Sequence, residues 1–153
     1  FLENQEIFLV IKHHPLSVQN NVSYPLFKNI KILNNDEYKT YNIQNYSFVG
    51  AFDYLITDYS SVYFDYLLLN KPIGFVIDDI EKYNTNRGFT FEKPLDMMPG
   101  KIIQNKEEFY DFIKKLGTID EFELERIKMR DFIHTKVQDS NACKEILEFV
   151  GIV

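Results

Sequence analysis

Residues 57–61 read Thr57-Asp58-Tyr59-Ser60-Ser61, a polar cluster between the apolar runs Tyr54-Leu55-Ile56 and Val62-Tyr63-Phe64. The pattern predicts strand, tight turn and helix, with the two serines where the helix begins. A helix start offers unpaired backbone N–H groups and the positive end of a dipole. Small hydroxyl side chains also let a phosphate come close. Ser60 and Ser61 are thus candidates to donate hydroxyl and N–H bonds to a phosphorylated ligand. Plain capping of their own helix is the other use of serine here, and the two are compatible. One contact of this kind contributes roughly 0.3–1 kcal/mol, so several must combine to hold a ligand. Asp58 can hold the turn by bonding nearby backbone, as Asp commonly does.

Three other residues have suitable chemistry. His14 ends the first apolar run, and a neutral imidazole there can accept a proton while a charged one can steady an anion. A loop histidine with no role is the competing reading. Arg87 lies beside Gly88 in an acidic protein; its planar fork matches phosphate oxygens, or it forms a surface ion pair. Asp65 falls within a very apolar helical stretch, where a charge needs a partner or faces a ligand. It can accept from a sugar hydroxyl or form a buried structural bond. His13 and His14 are adjacent, which does not suit chelation of one ion, and no Cys/His spacing supports a metal site. His134, inside a predicted helix, reads as structural.

These residues need elements to position them. Ile7–Ile11, Ile30–Leu33, Tyr54–Thr57, Ile73–Ile77 and Lys101–Ile103 are short apolar runs typical of strands buried on both faces. Helices are predicted over Ile43–Ala51, Ser60–Leu69, Asp120–Lys136 and the span containing Phe109, Phe112, Ile113 and Leu116, with Asn105 as an N-cap. A last helix places Ala142, Cys143, Ile146, Leu147 and Val150 on one packed face, with Ser140 near its cap. Asp78–Asn84 reads as a short helix or turn, and Thr85–Gly100 as an extended loop. Strands alternating with helices predict an α/β domain with a mostly parallel sheet over residues 1–153. Ligands of such sheets bind beyond the carboxyl ends of the strands. Lys12–Pro15, Asp58–Ser61 and Asp78–Asp79 all fall on that edge.

Composition narrows the classes. The chain has 153 residues, 45% of them hydrophobic, and a formal net charge of -6. That charge argues against nucleic-acid binding, which leaves a basic footprint. One cysteine excludes an internal disulfide framework and fits a reducing compartment. No run of 18 apolar residues predicts a membrane span. With 14 Phe, 10 Tyr and no Trp, the aromatic content serves chiefly core packing, and a ligand cleft secondarily. The chain starts at Phe1 and runs almost at once into a strand, the pattern expected of a piece of a longer protein.

The stretch Leu55-Ile56-Thr57-Asp58-Tyr59-Ser60-Ser61-Val62-Tyr63-Phe64-Asp65-Tyr66, followed by Asn70-Lys71-Pro72-Ile73, resembles the signature of the CDP-glycerol glycerophosphotransferases, the teichoic-acid polymerases, primases and related capsule enzymes. Lys12-His13-His14-Pro15 is similar to the family's Lys-x-His-Pro. Tyr83 with Arg87-Gly88-Phe89 is similar to its Tyr…Arg-Gly-Phe, and Pro99-Gly100 to its later Pro-Gly. Phe132-Ile133-His134 with Asp139, Asn141 and Ala142 matches its closing helix. The likeness spans nearly the whole chain.

The resemblance implies a Rossmann-like parallel sheet flanked by helices, the C-terminal, donor-binding lobe of a two-lobed GT-B fold. It implies transfer of polyol phosphate from CDP-glycerol or a related CDP-polyol to a wall or capsule polymer, with release of CMP. The CDP-polyol is a substrate, and no cofactor is implied. By the same resemblance His14 is the catalytic histidine of this lobe, and Ser60, Ser61 and Arg87 hold the donor diphosphate. Asp65 and Asp58 take a ribose or structural role. A polymer or lipid-linked acceptor would be met through an N-terminal lobe outside this chain, so the chain alone is expected to bind donor weakly and not turn over. The resemblance also implies a cytoplasmic place, with the full-length protein peripheral to the inner face of the membrane as its relatives often are. Thr90 and Glu92 depart from the family's usual Tyr and Asp, and residues 92–98 from its acidic run, which leaves the polyol open. A UDP-using GT-B glycosyltransferase or epimerase lobe shares the phosphate-binding logic, and a non-catalytic recognition domain is the alternative from another class.

Overall fold

The computed structural model describes residues 1–13, 27–33, 40, 45–134 and 141–152. β1 (Leu9–Lys12) and β2 (Ile30–Leu33) pair in parallel, Leu9 opposite Ile30 and Lys12 opposite Leu33. β3 (Leu55–Thr57), β4 (Ile73–Val76) and β5 (Lys101–Ile103) form a second parallel sheet in that order. The expected strands are thus present and parallel, but they pair as two sheets. β3 is three residues long and its ladder is made with β4. The fold is α/β, with helices against parallel sheets, as predicted.

Side chains of the second sheet alternate between two cores, as a pleated strand requires. Leu55, Ile73, Phe75, Ile77 and Ile102 share one cluster with Tyr63, Tyr66, Leu67 and Met98. Ile56, Val76 and Ile103 share the other with Phe112 and Ile113. Both faces of β4 are therefore covered, which explains its unbroken apolar run. Leu2 and Ile7 join the second cluster, and the Phe1 ring lies 4.6 Å from that of Tyr110. The segment leading into β1 is tied to the larger sheet in this way.

The helices are α1 (Asn45–Gly50), α2 (Val62–Tyr66), α3 (Ile80–Asn86), α4 (Lys106–Lys115), α5 (Glu123–Ile133) and α6 (Ala142–Phe149). Single 3-10 turns cover Leu2–Gln5, Leu67–Leu69 and Pro94–Met97. Asn105 caps α4 as expected, accepting from the Glu108 N–H at 2.9 Å. Helix α2 starts two residues later than predicted, because the Asp58 carboxylate holds the Ser60 N–H at 2.9 Å and favours a turn there. It then tightens into the 3-10 turn and stops at Asn70, whose φ of 49° is left-handed. α5 also starts late, since Asp120 accepts from the Phe122 N–H ahead of it. The predicted loop 85–100 is partly structured: α3 reaches Asn86 and Pro94–Met97 form a turn.

The closing helix corrects one expectation. Cys143 is exposed, as are Ile146 (62%) and Val150 (55%), and none of α6 is buried. The helical spacing of its apolar residues reports amphipathicity, and amphipathicity does not itself supply a packing partner. Ser140, the expected cap, lies outside the described residues. Among the described residues, no helix is long and apolar enough to cross a membrane.

Candidate functional site

The carboxyl end of β3 runs directly into Asp58-Tyr59-Ser60-Ser61. Asp58 closes the turn through the Ser60 N–H, the structural role expected of it, so that N–H is already engaged. Ser60 and Ser61 are both exposed. Ser61 is the N-cap of α2 by position, yet its side chain makes no capping bond. Among the described residues neither serine hydroxyl has a partner, so plain capping does not account for them.

The carboxyl end of β4 supplies the facing elements. After Ile77 come Asp78 and Asp79, then α3, and the chain turns at Arg87-Gly88. The turn is built by the Tyr83 carbonyl, which accepts from the Arg87 N–H at 2.9 Å and from the Gly88 N–H at 3.3 Å. Gly88 has a φ of 71°, which a side chain would strain. Arg87 is exposed, and among the described residues its guanidinium makes no ion pair, so the surface-pair reading does not hold for it.

An aromatic cluster joins these two strand ends. The Tyr59 and Tyr83 rings lie 4.1 Å apart at 31°, and Phe89 lies 5.5 Å from Tyr59 and 5.1 Å from Tyr83. The Tyr59 hydroxyl donates to Asp79 Oδ1 at 2.9 Å. Burial, then this bond, then the charges of Asp79, Asp78 and Asp58 push the Tyr59 phenol well above its ordinary value of 10.0. It is therefore a stable donor at neutral pH. Beside the cluster lies a cavity of about 170 Å³, with Ser61, Gly88 and Thr90 among its lining. Ser61 and Gly88, one from each turn, thus border one space, while Ser60 and Arg87 lie outside its lining.

Sequence reasoning did not single out Tyr59, Tyr83, Phe89 or Asp79 as partners. The signal available was their position beside the serines and beside Arg87. Asp65 is exposed on α2, and among the described residues its carboxylate has no partner, so of its two readings the buried structural bond is not the one found. His14 lies outside the described residues. His134 is structural, as expected, with Nε2 2.8 Å from the Phe64 carbonyl oxygen.

Comparison with known proteins places this geometry in context. The chain is 31% identical over 146 residues to the teichoic acid glycerol-phosphate primase of Bacillus subtilis (strain 168), covering 95% of this chain and 35% of the primase. It superposes on the wall teichoic acid polymerase TagF with a TM-score of 0.64 at 25% identity, covering 98% of this chain and 36% of TagF. A TagF variant soaked with CDPG matches with a TM-score of 0.55 at 23% identity, over 97% of this chain and 45% of that one. The chain therefore spans about a third of the length of the primase and of the TagF structure first compared. The family described as CDP-Glycerol:Poly(glycerophosphate) glycerophosphotransferase matches residues 1–151, and it is to this family, of teichoic acid polyol-phosphate transferases, that the chain belongs.

Proposed function

We propose that this chain is the donor-binding lobe of a two-lobed polyol-phosphate transferase that uses CDP-glycerol or a similar CDP-polyol. The observation that carries the reading is the unpaired Arg87 guanidinium beyond the β4 end, in a loop that borders the same cavity as Ser61. Free donors at the carboxyl ends of parallel strands suit a diphosphate. The family's name supplies the donor class, and the primase supplies a relative acting on glycerol phosphate.

In the proposed reaction an acceptor hydroxyl attacks the phosphorus nearest the polyol. A new O–P bond forms, the P–O bond to CMP breaks, and the hydroxyl proton passes to a base. His14 takes that proton, on the strength of its Lys12-His13-His14-Pro15 setting. Ser60, Ser61 and Arg87 hold the diphosphate and stabilise the charge gathering on the leaving CMP. Positioning and electrostatics carry such a phosphoryl transfer. The acceptor polymer is brought by the other lobe, and the full enzyme works at the cytoplasmic side.

Calorimetry with CDP-glycerol, CDP and CMP tests the reading. CDP should bind more tightly than CMP, and Arg87→Ala should remove that preference. Loss of charge-assisted bonds worth about 1.5–3 kcal/mol weakens CDP binding about 10- to 150-fold. Failure of the full-length protein to bind any cytidine nucleotide would refute the assignment.

A further inference from the structure

The serine turn and the Arg87 turn come from different strand ends, and neither reaches the other directly among the bonds of the described residues. What connects them is Tyr59. Its backbone sits inside the Asp58–Ser60 turn, one residue before Ser60. Its ring packs at a tilt on Tyr83, whose carbonyl closes the Arg87 turn, and edge-on against Phe89, which follows Gly88. Its hydroxyl is fixed on Asp79, the N-cap of α3. Core packing alone does not explain this cluster, because Tyr59, Tyr83 and Phe89 are only half-buried and line a cavity.

The electrostatics point the same way. Asp58, Asp78 and Asp79 crowd this edge, and uncompensated carboxylates would repel a diphosphate. Asp58 is engaged by the Ser60 N–H and Asp79 by the Tyr59 hydroxyl. With those two engaged, exposed Asp78 is the carboxylate left at this edge, and the exposed Arg87 is the cation beside it that can meet an anion.

We propose that Tyr59 is a positioning residue of the donor-diphosphate site: its ring and its bond to Asp79 lock the Ser60-Ser61 turn to the Arg87 turn. This rests on the donor-binding reading above. Its action is specific to the second phosphate of the nucleotide, because that is the group that must be met from both turns at once. Tyr59→Phe keeps the ring stack and removes only the bond to Asp79. Tyr59→Leu removes both.

The test is titration calorimetry of the full-length protein with CDP and with CMP, on wild type, Tyr59→Phe, Tyr59→Leu, Arg87→Ala and Tyr59→Phe combined with Arg87→Ala. Thermal melting first confirms that each is folded; Tyr59→Phe, which retains the aromatic packing, keeps the test available if Tyr59→Leu does not fold. Tyr59→Phe should lower the ratio of CDP to CMP affinity by about 5- to 10-fold, within the net range of one ordinary intramolecular hydrogen bond, since the bond acts on the ligand only through the turns it joins. In the Arg87→Ala background the same change should move the ratio far less, since the two residues act as a unit. A merely structural tyrosine would weaken both nucleotides alike and add independently to Arg87→Ala. A wild-type ratio in Tyr59→Phe, with the ratio lowered in Arg87→Ala, overturns the positioning role and leaves the donor reading standing. A ratio unchanged in Arg87→Ala overturns the donor reading, and the role of Tyr59 with it.

Discussion

Arg126 has no solvent exposure, and its guanidinium is held by both oxygens of Asp120, with Nη1 to Oδ1 at 2.9 Å. Nη2 also donates to the carbonyl of Asn70 at 3.2 Å, pinning α5 to the left-handed end of the 3-10 turn. Removing one partner of such a pair strands a buried charge, so Asp120→Ala should cost about 3–5 kcal/mol in chemical denaturation. Replacing both, as Asp120→Leu with Arg126→Met, should recover most of that loss. The bonds from Arg126, opposed by partial desolvation, hold the Asp120 carboxyl below its ordinary value of 3.8. A depressed acid stabilises the fold above its unfolded value and loses that contribution as pH falls through the folded one. Wild type should therefore lose melting temperature below about pH 4 more steeply than Asp120→Asn, as read by scanning calorimetry across that range. Residue chemistry was only partly legible in the sequence. Ser60, Ser61 and Arg87 announced themselves by type and neighbours. The bond between Tyr59 and Asp79 did not, although both were placed on the same edge, because they are 20 residues apart and meet only once two strand ends are side by side. The burial of Arg126 was hidden likewise, since charged residues rarely sit inside unless a partner is present.

Elements were more legible than their boundaries. Every predicted strand formed, because short apolar runs bounded by polar turns leave few alternatives. Helix starts slipped where an aspartate bonded the backbone ahead of them, at Asp58 and Asp120. Helix α6 was read correctly as amphipathic and incorrectly as packed. Its exposed thiol gives a check: Cys143 should react with a thiol reagent in the native protein without prior unfolding, and slow labelling would show the helix covered in solution. Close packing of β4 gives another. A Cβ on Gly100 would lie 2.2 Å from the Ile73 carbonyl oxygen, a backbone atom that cannot swing away. Gly100→Ala should lower stability by about 1–3 kcal/mol in a urea melt, by forcing β5 away from β4. This gives the Pro99-Gly100 pair a structural reason to exist at that spot.

At the scale of the whole molecule, one sheet has helices on both faces, and the family's chemistry is proposed for the carboxyl ends of its strands. The segment leading from β3 carries the serines and also three tyrosines with raised phenol values. Burial pushes Tyr63 up to about 12, and burial with the field of Asp53 raises Tyr66; Tyr59 is raised as well. Phenols held neutral stabilise the fold fully below their ordinary value of 10.0 and progressively less as pH rises through the folded values. Tyr63 and Tyr66 sit in the core against β4, while Tyr59 is bonded to Asp79 beyond the strand ends. Strong base should therefore dismantle core and site in one cooperative step, visible directly as tyrosinate absorbance because the chain has no tryptophan to obscure it. The eight residues from Tyr59 to Tyr66 act, in effect, as the alkaline fuse of the domain.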